Sequence, residues 1–140
     1  MNRIRTFVDT GVLIAIARGD DKAADAALAI LDDPNREFVS SDFVQLEVLP
    51  KAAFHRRNDE LNVYREFFEG GLVDVVASKS ITQSAIAVAS EHDIHAMDAL
   101  HIASALEAGV DEFVTTEKPS KPMFKLAQPR VVSIHPGATS

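Results

Sequence analysis

Apolar, β-rich runs alternate with helix-like stretches along the whole chain. The first run, Ile4 to Val8, ends on Asp9, and the residues that follow, with Val12 to Ala17 as their apolar part, read as a helix. Gly19-Asp20-Asp21 interrupts the pattern and places Asp21 to cap an Ala-rich helix from about Lys22 to Leu31, which Asp32-Asp33-Pro34-Asn35 stops. Phe38-Val39 is the second strand, and Ser40, Ser41 and Asp42 open a third helix through Phe43, Val44, Leu46, Val48 and Leu49, which Pro50 kinks or ends. A more polar helix, about Asp59 to Glu69, closes at Gly70-Gly71, and Leu72 to Ala77 is the third strand. Two further helices, about Ile81 to Glu91 and Met97 to Ala108, precede the fourth strand, Phe113-Val114-Thr115, and Val131 to Ile134 is the fifth. The tail from His135 is expected to fray.

Strands separated by helices at this spacing predict βαβ units, an α/β fold with a mostly parallel sheet of about five strands covered on both faces. With 140 residues, 46% hydrophobic and 25% charged, a single domain spanning residues 1–140 is expected. The chain has no cysteine, which excludes disulfides and thiolate ligands, so a bound metal would need oxygen or imidazole donors. The apolar run after Asp9 is too brief to cross a bilayer, and the expectation is a soluble, cytoplasmic protein with no membrane partner. A net charge of −7 argues against nonspecific coating of nucleic acid but leaves room for a nuclease whose clustered acids make up much of that excess. The positive residues fall into two groups, Lys51 with Arg56 and Arg57, and Lys118 with Lys121, Lys125 and Arg130; each could line a phosphate track or be a solvated face.

In a parallel α/β sheet the site lies at the carboxyl ends of the strands, so acids just after strands or at adjoining helix starts are the ones to weigh. Asp9 follows the first strand, and on its own it is explained as a helix cap. Glu47 shares a helix face with Phe43 and Val44 in an otherwise apolar run, where it either needs a partner or reaches to solvent. Asp98 opens the helix that contains Met-Asp-Ala-Leu-His-Ile-Ala, again a capping position, and Glu117 repeats the strand-then-acid pattern, although a loop acid explains it equally. Mg²⁺ or Mn²⁺ prefers a few carboxylates plus substrate phosphate, and four acids able to face one crevice suit that chemistry. Thr10 is placed to hydrogen-bond a carboxylate or a bound water, or is simply a helix-start hydroxyl.

Phe7-Val8-Asp9-Thr10, Glu47 within an early helix, Asp98-Ala99-Leu100-His101-Ile102-Ala103 and Phe113-Val114-Thr115-Thr116-Glu117-Lys118 together resemble the PIN-domain family, in particular the VapC-type toxin ribonucleases of type II toxin–antitoxin pairs. The resemblance covers nearly the whole chain. It implies a three-layer α/β/α sandwich and a pocket of Asp9, Glu47, Asp98 and Glu117, assisted by Thr10, that holds Mg²⁺ or Mn²⁺ and cleaves single-stranded RNA. It also implies frequent homodimers and a small antitoxin whose tail fills the cleft. The family usually carries Asp at the fourth acidic position, often with another acid shortly after, whereas here Glu117 is followed by Lys118, Pro119 and Ser120. Two other readings stand beside it. Glu91-His92-Asp93-Ile94-His95 and Asp98-x-x-His101 could serve Zn or Fe in a metallohydrolase, and Glu117 with the negative charge suits a PIN-like RNA-binding domain of weak catalysis.

Overall fold

A computed structural model describes residues 3–19 and 22–137. The helix cap expected at Asp21 and the last part of the tail, 138–140, lie outside the described residues. In chain order the elements are β1 (Ile4–Val8), α1 (Thr10–Arg18), α2 (Lys22–Leu31), β2 (Arg36–Ser41), α3 (Asp42–Phe54), α4 (Asn58–Phe68), β3 (Val73–Val75), α5 (Lys79–His92), α6 (Ala96–Glu107), β4 (Glu112–Thr115), a single 3₁₀ turn (Pro122–Lys125) and β5 (Arg130–Ser133). The sheet order is β3-β2-β1-β4-β5, and every strand pair is parallel.

The order reverses at β1. Steps β1 to β2 to β3 carry α1–α4 in one direction, and the long return from β3 to β4 carries α5 and α6, so right-handed crossovers put the two sets of helices on opposite faces. Side-chain parity agrees. Phe7 stacks on Phe113 with ring centroids 5.2 Å apart and meets His101 of α6, whereas Phe38, which pairs with Thr6 and so has the opposite parity, meets Phe67 of α4. The result is a three-layer α/β/α sandwich.

Phe7, Val8, Val39, Phe113 and Val114 are fully buried, which is why β1, β2 and β4 have to be apolar on both faces. The helices begin and end on identifiable chemistry. Ser41 and Ser78 accept hydrogen bonds from Val44 N and Ile81 N at the starts of α3 and α5, and Gly19 closes α1 in the left-handed region at φ 66°.

Two boundaries differ from the sequence reading for physical reasons. Ser40 and Ser41 belong to β2, not to the helix start, because they pair with Asp74 and Val75 of β3; the helix opens one residue later, with Ser41 as its cap. Pro50 lies inside α3, which continues to Phe54: proline removes one donor, and the helix absorbs that loss. None of the described helices is long and apolar enough to cross a membrane.

Candidate active site

The reversal of strand order at β1 opens a crevice at the carboxyl edge between β1 and β4, where open α/β sheets place ligands. Val8 is opposite Val114, and the ladder continues one step further with Asp9 N donating to Val114 O at 3.0 Å. Asp9 and the residues after β4 therefore leave the sheet side by side. Asp9 caps α1 through Oδ1, which accepts from Thr10 N at 2.8 Å, while Oδ2 accepts from Thr115 Oγ1 at 2.7 Å. The capping role and the position at the crevice coexist in one side chain.

Gly11 is what lets α1 start this close to β4. A Cβ there would run into Thr116 Oγ1, so with the hydroxyl in this rotamer the first turn of α1 and the segment carrying Glu117 lie together because residue 11 has no side chain. The loop is tied from the other side as well: Glu117 N donates to Thr115 Oγ1, Ser133 Oγ donates to Glu117 O at 2.6 Å, and Ile134 N donates to Thr115 O.

Glu47 comes from α3 and Asp98 from the first turn of α6. Thr10 Oγ1 donates to Glu47 Oε1 at 2.7 Å, and His101 Nε2 lies 2.7 Å from the same oxygen. Among the described residues the Asp98 carboxylate has no hydrogen-bond or ion-pair partner, yet it feels the negative charges of Asp9, Glu117 and Glu47. The structure thus brings Asp9, Thr10, Glu47, Asp98 and Glu117 to one edge of the sheet.

Their protonation behaviour reflects burial and hydrogen bonding first and the neighbouring acids second. Burial pushes the Asp9 carboxyl above the ordinary carboxylate range, against the pull of the His101 ring and of the hydrogen bonds from Thr115 and Thr10. Asp98 is also raised, first by burial and then by repulsion from Asp9 and Glu117. Glu47 moves the other way, held below the usual range chiefly by its hydrogen bond with His101. Among the described residues no three acidic or histidine side chains stand at coordination spacing. The donor set itself, carboxylates at partly buried positions with excess negative charge, fits a hard divalent cation.

One residue from each basic group reaches this edge. Lys51, one turn along α3 from Glu47, acts on that carboxylate as a positive charge, and Lys121 lines a cavity of about 340 Å³ together with Asp98 and His95. Arg56 and Arg57 face a different hollow, beside Arg18 and Glu60.

For the histidine-based metallohydrolase reading, His92 pairs only loosely with Glu91 at 3.8 Å, His95 precedes α6, His101 is 1% exposed within that helix, and among the described residues no three histidine or acidic side chains stand at coordination spacing. Thr115 escaped the sequence reading because a β-branched residue at a strand end looks like packing. Its signal is the register, which puts a buried hydroxyl one step from Asp9.

With this geometry in view the chain can be placed among known proteins. The PIN domain family model matches residues 6–118, and the chain belongs to that family. Among solved structures it resembles the VapBC2 complex of Rickettsia felis bound to a DNA fragment from its promoter, with 14% identity over 93% of this chain and 98% of that one and a TM-score of 0.70. It is also similar to a toxin–antitoxin complex from Klebsiella pneumoniae, with 22% identity, 92% and 97% coverage and a TM-score of 0.67. A third is VapC20 of Mycobacterium tuberculosis, a sarcin–ricin-loop-cleaving toxin, with 17% identity, 77% and 86% coverage and a TM-score of 0.62. At these identities the likeness is one of fold. No curated protein matches the chain.

Proposed function

We propose that the chain is a Mg²⁺- or Mn²⁺-dependent endoribonuclease acting on single-stranded RNA, the toxin of a type II toxin–antitoxin pair. The observation that carries this reading is the meeting of Asp9, Glu47, Asp98 and Glu117, separate in sequence, at the switch point of a PIN-family sheet. PIN domains are nucleases as a family. VapC20 cleaves the sarcin–ricin loop, and the Rickettsia and Klebsiella structures are toxin–antitoxin assemblies, which supports extending RNA cleavage and a small antitoxin partner to this chain. A cytoplasmic homodimer is the form we assign to it.

Asp9, Asp98, Glu47 and Glu117 would hold the divalent ion, which when bound supplies Lewis-acid charge at the phosphodiester. The remaining work falls to the chain itself. Thr115 and Thr10 N fix both oxygens of Asp9, and Thr10 Oγ1 fixes Glu47, so two of the four carboxylates are oriented before substrate arrives. Lys51 and Lys121 flank the acids and offer positive charge to phosphates on either side of the scissile one. Asp98 and Glu117, whose carboxylates lack protein partners among the described residues, remain free to adjust to the ion.

Purified protein given Mn²⁺ should cleave unstructured RNA, with chelator stopping the reaction. Asp9→Asn and Asp98→Asn should each reduce cleavage by at least about 100-fold while circular dichroism stays unchanged, since each removes an anionic ligand from the cation that would stabilise the developing negative charge. Wild-type rates in either folded variant would reject the assignment.

A further inference from the structure

His101 is a fully buried residue whose purpose packing does not explain. An imidazole in the core costs free energy unless both nitrogens are satisfied, and here Nδ1 has no partner. The other nitrogen, Nε2, lies 2.7 Å from Glu47 Oε1 and 3.3 Å from Thr10 Oγ1, which itself donates to that same carboxylate oxygen at 2.7 Å. An ionised carboxylate can only accept, so a ring hydrogen is on Nε2. A purely structural residue would be expected to bond the backbone or to be apolar. This ring instead directs its Nε2–H at a half-exposed acid 54 positions away in sequence.

Glu47 Oε1 thus receives two donors, one from α1 and one from α6, while Oε2 has no protein partner among the described residues. We propose that His101 is a positioning residue: its Nε2–H, with Thr10, locks Glu47 by one oxygen so that the other is presented to the divalent cation. This rests on the metal-dependent reading above. It distinguishes Glu47, pre-set by two donors, from Asp98 and Glu117, which are not.

Mn²⁺ binding to the full chain, measured by calorimetry without RNA, tests it. His101→Phe keeps a ring and removes the donor; His101→Gln places an amide N–H near the Nε2 position. The Phe variant should bind Mn²⁺ about 10–100-fold more weakly, the range typical when the partner of a metal ligand is lost, and the Gln variant should recover to within a few-fold of wild type. Wild-type affinity in the Phe variant overturns the proposal, and so does a Gln variant as weak as Phe, which would make the ring's volume the cause. Wild-type protein that binds no Mn²⁺ overturns the metal reading itself. If the Phe variant fails to fold, ¹⁵N spectra of the wild-type imidazoles decide: Mg²⁺ should shift the His101 ring signals and leave those of His55 in place, and an unmoved His101 at saturating Mg²⁺ overturns it.

Discussion

Two kinds of acid are partly or wholly withdrawn from solvent near this sheet, and their partners tell them apart. Glu112, at the amino end of β4, accepts from Arg36 Nε at 2.8 Å and Thr6 Oγ1 at 2.9 Å, and Arg36 in turn holds Asp33, so this charge is compensated within the fold. Asp98 at the opposite edge has no hydrogen-bonded or ion-paired partner among the described residues and faces other acids, with the His101 ring pulling the other way. Its folded-state pKa is raised, so its ionisation costs the cation-free protein stability: the cost is absent at acid pH and grows as pH rises through the folded value. Glu47 behaves oppositely, contributing stability above its unfolded range that is lost as pH falls through its lowered folded value. Without metal at pH 7, Asp98→Asn should therefore melt higher than wild type by about 2 °C, a small shift because solvent screens a half-buried carboxylate. The difference should vanish near pH 3, and Mg²⁺ should raise the melting temperature of wild type more than that of the variant. A variant that melts lower at pH 7 would show that Asp98 is a structural acid. Asp9, Asp98 and Glu117 stood out as residues that follow strands or open helices, and Glu47 as a carboxylate within an otherwise apolar helical run. Which of them had partners was not, because hydroxyl and imidazole donors such as Thr115 and His101 come from elements distant in sequence.

Among the elements, the junction of α1 with the end of β4 carries the tightest constraint. Gly11 is the contact point, and its missing side chain is what the Thr116 hydroxyl occupies. Gly11→Ala should destabilise the protein by about 1–3 kcal/mol in urea unfolding, as overpacking does elsewhere, and Thr116→Ala in the same chain should return part of that loss. Unchanged stability in Gly11→Ala would mean that the loop yields freely and does not fix Glu117. The order and type of elements could be read from periodicity, since long helices and apolar strands leave strong patterns. The ends could not. Ser40 and Ser41 read as helix starters, yet β3 pairs with both and only Ser41 also caps α3, whereas Pro50, read as kinking or ending the helix, lies within it. The serines show tertiary pairing outweighing local preference.

At the scale of the whole molecule, the proposed function implies that the negative charge of −7 and the acidic crevice need a counter-ion before RNA, itself an anion, can approach. Lys51 and Lys121 flank the crevice but do not neutralise it, so cation binding and substrate binding should be coupled. What the fold accomplishes is the gathering of carboxylates from β1, α3, α6 and the loop after β4 onto one edge of a parallel sheet. Anomalous scattering from crystals soaked in Mn²⁺ tests that gathering directly. The expected result is a Mn²⁺ peak bridging the carboxylates of Asp9 and Asp98 at roughly 2.0–2.2 Å, the spacing of a small divalent ion on oxygen. Saturating Mn²⁺ that leaves this edge without a peak, or binds only elsewhere on the molecule, would contradict it.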